Sequence, residues 1–287
     1  MKPRWTIFLL LAPAVTVIVV LFAGGLLSAI GQSLGYLPVA GLTDVSFQAY
    51  RELVAQPGFL RSVGLTVFVS VAATLFTVVL AVVTALALRR GLRGGSFIRV
   101  LYQLPLTVPH LVIAVAVLML ASQSGLFSRL LHGVGIIAEQ SAFPVVVHDN
   151  WGVGIILVYV WKQIPFIGLI ALAVLQSIGE DYEELARTLG ANAWQRFYHV
   201  LLPLIIPGII PASIIIFAFA FGAFEVPLLL GKSFPSMMSV LAYRLYTDVD
   251  LAARPQAMAT SVFIAIFVLV LVIPYRRLVE SRSRGAA

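Results

Sequence analysis

Six long apolar stretches recur along the chain, and they constrain its fold more than any other feature. Each is close to the roughly 20 residues that an α-helix needs to cross a bilayer. Hydrophobic residues make up 61% of the chain and charged residues only 11%. Because a soluble core could not use so much apolar surface, the sequence predicts an all-α integral membrane protein with about six transmembrane helices. The predicted spans are Trp5–Ile30, Ser62–Leu88, Val100–Ser122, Trp151–Leu175, Leu204–Val226 and Ala257–Tyr275.

The first stretch follows Lys2 and Arg4, as the core of a cleaved signal peptide would. Its apolar run is longer than the roughly 7–15 residues of such a core, and no convincing cleavage site follows, so we interpret it as a span. The chain contains no cysteine, which excludes disulfides and thiolate metal sites.

Basic residues divide unevenly between the two sides of the predicted membrane. If both termini are cytoplasmic, the cytoplasmic side holds twice as many as the opposite side, which is the bias expected of an inner-membrane protein. The net charge of +7 therefore reflects topology and not nucleic-acid binding. The cytoplasmic set is Lys2, Arg4, Arg89, Arg90, Arg93, Arg99, Arg187, Arg196, Arg276, Arg277, Arg282 and Arg284, and the outer set is Arg51, Arg61, Arg129, Lys232, Arg244 and Arg254.

One polar segment, Glu183–Pro203, interrupts the apolar pattern between spans four and five, on the predicted cytoplasmic side. Ser177 and Glu180 have the spacing of a capping box, and acidic residues fill the following turn, where the helix dipole favours them. Gly190 stands where a left-handed residue would end this first helix. The helix carries a narrow apolar stripe of Tyr182, Leu185, Ala186 and Leu189.

A second helix is predicted directly after Gly190, with Asn192 as its N-cap and Gln195 three residues later. We call the helix-turn-helix segment 177–203 the cytoplasmic bracket. The three prolines that follow are predicted to bend or interrupt the chain as it re-enters the membrane. An interfacial helix is the alternative, but an acidic first turn suits an anionic membrane surface poorly, which favours a protein partner. The second helix presents Trp194, Phe197, Tyr198 and Leu201, and the prolines are Pro203, Pro207 and Pro211.

The bracket resembles the cytoplasmic signature loop of ABC importer permeases, which reads Glu-Ala-Ala, three residues, Gly, nine residues and Ile-x-Leu-Pro. Here Glu184-Leu185-Ala186 is followed after three residues by Gly190 and after nine more by Val200-Leu201-Leu202-Pro203. The two departures, Leu185 and Val200, remain apolar. The resemblance implies that the loop is a coupling helix that docks on a cytosolic ATPase. The implied coupling residues are Glu183, Glu184, Leu185, Ala186, Leu189, Gly190, Ala191, Trp194 and Phe197.

Two further passages extend the resemblance, which covers about Ser62 to Ile273. They are "LPLTVPHLVIAV" from Leu104 and "FGAFEVPLLLG" from Phe221, the latter most similar to the branch that serves spermidine and putrescine, ferric iron, sulfate or thiamine. The resemblance implies a type I ABC importer permease fold and half of a substrate translocation pathway. It divides the chain into a first helix and outer loop at 1–61, a permease core at 62–275 and a basic cytoplasmic tail at 276–287.

The resemblance also implies partners, and it implies that this chain is not itself an enzyme. ATP and Mg would bind a separate cytosolic ABC ATPase dimer, so no cofactor is expected here. A second permease subunit would complete the pathway, with a different chain favoured over a second copy. An extracytoplasmic solute-binding protein would deliver substrate to the outer loops. These loops are Gly31–Arg61, Gln123–Asn150 and Pro227–Pro255.

Two charged residues, Lys162 and Glu225, fall inside or beside predicted spans, where ionisable groups usually face a cavity or a partner. Both are candidates for the substrate pathway. The alternatives are a lysine that snorkels or satisfies backbone carbonyls, and a glutamate at the outer interface. Because the two lie at different depths, no direct ion pair between them is expected.

The spacing of residues argues against two other kinds of site, a phosphate-binding loop and a metal site. Gly231-Lys232-Ser233 would need a glycine at position 226 to form a phosphate-binding loop, and that position is Val226. His110, His132, His148 and His199 lack metal-ligand spacing, so no metal site is predicted. The alternative functions are an ion-coupled secondary transporter or channel without an ATPase, and a membrane anchor for a cytosolic complex.

Overall fold

A computed structural model describes residues 4–89, 95–178 and 181–284 of the chain. Six helical segments within these residues are long and apolar enough to cross a membrane, which confirms the predicted number of spans. Lys2, Arg90, Arg93 and the predicted capping residue Glu180 lie outside the described residues. The helices are α1 (Arg4–Ser33), α2 (Gln48–Ala55), α3 (Phe59–Arg89), α4 (Gly95–Thr107), α5 (His110–Ala121), α6 (Leu126–Gly133), α7 (Val153–Ile178), α8 (Asp181–Thr188), α9 (Ala193–Arg196), α10 (Leu202–Gly222), α11 (Glu225–Leu230), α12 (Met238–Tyr246) and α13 (Arg254–Arg284).

The third span is not the single helix predicted over Val100–Ser122. Helix α4 ends at Thr107 and α5 begins at His110. The segment that is long and apolar enough to cross a membrane runs from His110 to Gly133. Proline at position 109 explains the break, because it lacks a backbone N–H and disfavours helical geometry at Val108. Apolar composition alone does not reveal this break, since apolar residues continue on both sides of it.

The fifth span also differs from the predicted Leu204–Val226. It is helical from Ala193, inside the bracket, and α10 ends at Gly222. Val226 belongs instead to the separate short helix α11. The helix is therefore interrupted at Ala223 and Phe224, before the predicted end of the span.

The chain divides into two compact units. One comprises residues up to 61 together with 238–267, and the other comprises residues 62–237 together with the chain from 268 onward. In the first unit, Phe59 packs edge-on against Phe263 at a centroid distance of 5.6 Å. Gln256 donates a hydrogen bond to Glu52 at 2.7 Å, which links α13 to α2.

The second unit contains two apolar clusters along α3 and α7. One cluster joins Val69 and Ala73 of α3 to Val158 and Tyr159 of α7 and to the short helix α11. The other cluster joins the last turns of α3 and α7 to α10. It includes Leu201 at the end of the bracket, so the bracket is packed onto the spans and does not hang free.

Candidate functional site

Gly190 forms the corner of the bracket, as predicted. Its φ of +83° lies in the left-handed region, which glycine adopts without the steric penalty of a β-carbon. The Gly190 N–H donates to Arg187 O and the Ala191 N–H donates to Ala186 O, both at 3.0 Å. These two bonds form a Schellman motif that satisfies the last carbonyls of α8.

The second helix of the bracket begins with the predicted capping box. Asn192 Oδ1 accepts the Gln195 N–H, and Gln195 Oε1 accepts the Asn192 N–H, each at 2.9 Å. Arg196 Nη1 donates to Ala191 O at 3.0 Å, across the corner. Hydrogen bonds therefore hold both sides of the corner, and the angle between the two helices is defined locally.

The prediction of Ser177 as the N-cap of the first helix of the bracket was wrong. Ser177 lies within α7, and its hydroxyl donates to Val174 O at 2.8 Å. A hydroxyl engaged with the preceding turn belongs to the end of α7, while α8 begins later, at Asp181. The other half of the predicted capping box, Glu180, lies outside the described residues.

The prolines after the bracket do not interrupt the helix. Helix α9 continues through a π-helical turn, Phe197–Leu201, directly into α10, and Pro207 and Pro211 lie inside α10. The Leu202 N–H donates to Phe197 O, five residues back, in place of the usual four. A turn widened in this way accommodates the missing N–H of Pro203. The second arm of the bracket and span five are thus one helical segment.

An apolar face of the bracket is exposed. The side chain of Leu189 is 80% exposed and that of Trp194 is 70% exposed. Trp194 stacks on Tyr198 with ring centroids 6.4 Å apart, so the aromatic part of this face is ordered. The exposed apolar side chains, which we call the docking face, are Tyr182, Leu185, Leu189, Trp194 and Tyr198.

The nine predicted coupling residues do not share one environment. Glu184, Leu185, Leu189, Gly190 and Trp194 are exposed, whereas Glu183, Ala186, Ala191 and Phe197 are partly buried. Phe197 packs against the apolar cluster of α3, α7 and α10. Tyr182 and Tyr198 were recognised as members of apolar stripes but were not predicted as coupling residues; their exposure adds them to the docking face.

Glu183 is engaged within the chain. Its carboxylate lies 3.0 Å from Arg89 Nη1 and 3.4 Å from Arg196 Nε. The sequence placed all three residues on the cytoplasmic side but did not bring them together, because Arg89 is 94 positions away from Glu183. The ion pairs border a cavity of about 220 Å³ lined by Leu86, Arg89, Glu183, Glu184, Arg187, Arg196 and Leu201.

Lys162 lies at the break in the third span. The residue is only 9% exposed. Its ammonium uses all three of its donors on backbone carbonyls, which is the backbone-satisfying alternative considered for it. These carbonyls lie at or just after the end of α4, where no helical N–H follows to donate a hydrogen bond to them. The acceptors are Pro105 O at 2.8 Å, Leu106 O at 3.1 Å and Val108 O.

Glu225 opens α11 and its side chain is exposed in the structure. As expected from their depths, Glu225 and Lys162 form no ion pair with each other within the described residues. Both lie within electrostatic range of His110, whose ring packs on Phe219 at a centroid distance of 4.7 Å. The two interrupted spans and three ionisable side chains therefore occur in one region, at the starts of α5 and α11.

Gly231-Lys232-Ser233 lies outside the context that a phosphate-binding loop requires. A helix, α11, precedes it, where a phosphate-binding loop follows a strand. Lys232 Nζ donates to Asn150 Oδ1 at 2.6 Å, so the lysine joins the loop after α11 to the loop before α7. His148 and His199 contact the backbone carbonyls of Leu229 and Gln195 at 3.0 and 3.1 Å.

The chain matches the model of a known protein family. The family described as the binding-protein-dependent transport system inner membrane component matches residues 77–284, which include the bracket and both interrupted spans. The chain belongs to this family of ABC importer permeases. It is therefore a multi-pass inner-membrane transport protein, and the predicted recognition and fold class are confirmed.

Individual relatives of the permease carry different substrate names. The molybdenum transport system permease protein ModB of Mycobacterium tuberculosis is 30% identical over 220 residues, covering 75% of this chain and 79% of the relative. The sulfate transport system permease protein CysT of Escherichia coli is 26% identical, covering 81% of each chain. The sn-glycerol-3-phosphate transport system permease protein UgpA of Brucella abortus is 29% identical, covering 96% and 94%.

A solved structure confirms the fold of the permease. A chain of a bacterial ABC transporter involved in the import of the acidic polysaccharide alginate superposes with a TM-score of 0.80 at 21% identity, covering 98% of this chain and 96% of that chain. A second structure of an alginate transporter, in complex with a periplasmic protein bound to an alginate pentasaccharide, has a TM-score of 0.79.

Proposed function

We propose that this permease forms half of a substrate translocation pathway and couples it to a cytosolic ABC ATPase through the docking face. The observation that carries the proposal is the exposed apolar surface on a rigid, Gly190-cornered bracket. Apolar and aromatic side chains clustered on an ordered surface are typical of protein-protein hot spots. A groove on the ATPase would cover them.

The chemistry around the docking face favours a protein over a lipid surface. Asp181 and Glu184 lie beside it in α8, and both are exposed. Interfacial helices that bind membranes carry basic residues on their polar face, which anionic lipids attract. An acidic first turn would be repelled by such lipids, whereas a groove with basic residues would attract it.

The remaining partners of the proposed assembly are those expected of an ABC importer. ATP and Mg bind the ATPase dimer, so this subunit is non-catalytic and holds no cofactor of its own. A second permease subunit, which we expect to be a different chain, supplies the other half of the pathway. An extracytoplasmic solute-binding protein docks on the outer loops, and both termini lie in the cytoplasm.

Within this chain, the pathway is proposed to pass the starts of α5 and α11. Interrupted helices are tolerated at membrane depth only where they are buried in protein or line a cavity. Glu225 is exposed there, and an exposed carboxylate is costly against lipid. Lys162 is proposed to border this region and to hold the end of α4 in place.

A co-purification experiment tests the docking face. Leu189→Asp places a charge at its most exposed apolar position, and we expect the tagged permease to lose its ATPase while still inserting in the membrane. Val249→Asp is the matched control, because Val249 is 99% exposed in an outer loop. An ATPase that remains bound to the Leu189→Asp protein would contradict the proposal.

Cysteine labelling tests the orientation on which the proposal depends. The chain has no native cysteine, so single substitutions report without background. Thr188→Cys in the bracket should react with an impermeant maleimide only from the cytoplasmic side, and Thr43→Cys only from outside. Reaction of the Thr188→Cys protein from outside would reverse the topology and exclude cytosolic docking.

A further inference from the structure

Three charged side chains from separate helices meet between α3 and the bracket. Arg89 is the last residue of α3, Glu183 lies in α8 and Arg196 lies in α9. Glu183 contacts both arginines, at 3.0 Å and 3.4 Å. The side chains of Arg89 and Glu183 are 12% and 27% exposed, so the contact is partly shielded from water. We call these three residues the ion-pair triad.

The triad links the bracket to a helix that the backbone does not connect to it. The second arm of the bracket runs directly into α10, and its first arm follows α7 in the chain. Helix α3 has no such connection. Its last turns share an apolar cluster with Leu201 and Ile205, but apolar packing is non-directional and permits sliding. A hydrogen-bonded ion pair adds directional restraint, since the Arg89 Nη1–H donates to Glu183 Oε2.

We propose that the ion-pair triad makes α3 follow the bracket when the bracket moves, and that Glu183 is therefore a positioning residue for coupling and not a contact to the ATPase. The inference rests on the proposed function, in which ATPase movement displaces the bracket. Arg196 also donates to Ala191 O, at the corner, so the triad ties α3 to the part of the bracket whose shape is most defined. Without the triad, α7 and α10 would move with the bracket and α3 would lag.

The size of the effect follows from the exposure of the triad. Partly exposed ion pairs change an equilibrium by about fivefold or less. This is too little for their removal to unfold the permease, but enough to change the population of a second arrangement of α3. Loss of the triad should therefore leave assembly intact and alter a conformational readout.

The experiment measures the distance between α3 and the bracket by pulsed electron resonance. Ala87 and Thr188 are exposed, on α3 and on α8, and both can be replaced by spin-labelled cysteine in a chain without native cysteine. The permease is purified with its ATPase and measured without nucleotide and trapped with Mg·ATP and vanadate. With the triad present, we expect the same single distance in both states.

Arg89→Gln should add a second, longer distance in the trapped state, because loss of the ion pair favours this arrangement by about fivefold. Arg89→Gln combined with Glu183→Gln should behave like Arg89→Gln alone, because the Glu183–Arg196 contact that it also removes lies within the bracket and does not reach α3. Arg187→Gln is the matched control, since Arg187 lines the same cavity outside the triad, and it should match the native chain. The reversed triad, with Arg89→Glu, Glu183→Arg and Arg196→Glu, should restore the single distance.

Unchanged distances in the Arg89→Gln protein in both states would overturn the inference. An additional distance of equal size in the Arg187→Gln protein would also overturn it, because the effect would then come from the cavity and not from the triad. Failure of the proposed function is distinguishable, since the ATPase would then not co-purify with the spin-labelled chain that retains its triad. A co-purifying ATPase with unchanged distances in the Arg89→Gln protein contradicts only the role of the triad.

Discussion

The bracket and the break in the third span differ in whether their side chains are satisfied by contacts within the chain. In the bracket, the carboxylate of Glu183 is paired within the chain while the side chains of Leu189 and Trp194 are exposed. At the break, the ammonium of Lys162 is buried and all its donors are used. The bracket thus leaves apolar side chains exposed, whereas the donors at the break are satisfied within the chain.

This difference shows which charged groups are available for function. A buried charge costs little when its hydrogen bonds are complete, and it then acts on structure. Lys162 meets this condition, while Glu225, which is exposed in the same region of the chain, does not. Charge within a span is therefore no sufficient sign of a pathway residue. The contacts of the charged group decide between a structural role and a role in transport.

The largest expected effect comes from Lys162→Met, which removes the donors from the end of α4. Each buried carbonyl left unsatisfied costs about 1–3 kcal/mol, so we expect the stability of the purified permease to fall by about 3 kcal/mol or more. A thermal unfolding scan in detergent measures this. Trp161→Leu is the control, because Trp161 is adjacent and exposed and its replacement should change stability far less.

The same mutant separates the two roles of Lys162. If the lysine contacts substrate, Lys162→Met should leave thermal stability near that of the native chain and abolish uptake. If it holds the helix end, both the stability and the amount of protein in the membrane should fall together. A stable mutant without uptake would indicate that Lys162 contacts substrate, as the docking face is proposed to contact the ATPase.

Local signals in the sequence predicted most of the bracket and the number of spans. Gly190 and Asn192 are recognisable because a left-handed corner and an N-cap depend on neighbouring backbone groups. The missed features depend on distant residues. The acceptors of Lys162 lie 54 to 57 positions away, and Arg89 is remote from Glu183, so no local pattern encodes these contacts.

Helix boundaries within the membrane were less predictable for a different reason. The break at Val108 and Pro109 and the π-helical turn before Pro203 both involve proline, yet one interrupts the helix and the other does not. Proline removes one donor in either case. The surrounding helices decide the outcome, because they either supply another donor, as Lys162 does, or permit a wider turn.

A smaller effect is expected from Gly190→Val, which tests whether the shape of the bracket matters for its exposed face. Open space surrounds the position of a β-carbon at Gly190, so the penalty comes from its φ of +83° and not from a clash. We expect a local cost of about 1–2 kcal/mol and weaker ATPase association, measured by co-purification. Gly190→Asn is the matched control, because asparagine tolerates the left-handed region. Equal association of both variants would show that the corner does not orient the docking face.

The smallest effect is expected from Glu225→Gln. If the substrate is cationic, loss of the Glu225 charge should remove an attraction of about 1 kcal/mol and so reduce uptake roughly fivefold. If the substrate is an oxyanion, uptake should be unchanged or mildly increased. Uptake of a panel of cationic and oxyanionic solutes measures this, with Asp248→Asn as a control carboxylate in the loop after α12. A decrease for every transported solute, regardless of charge, would assign Glu225 to structure, as for Lys162.

The unbroken helix from Ala193 to Gly222 has a mechanical consequence. Its 30 residues give a length of roughly 45 Å at 1.5 Å per residue. A tilt of about 5° around its bracket end would displace the opposite end by about 4 Å, which is comparable to the diameter of a small solute. The segment can therefore act as a lever arm that pivots at its bracket end, so that a slight rotation of the bracket becomes a larger displacement at Ala223 and Phe224, next to Glu225.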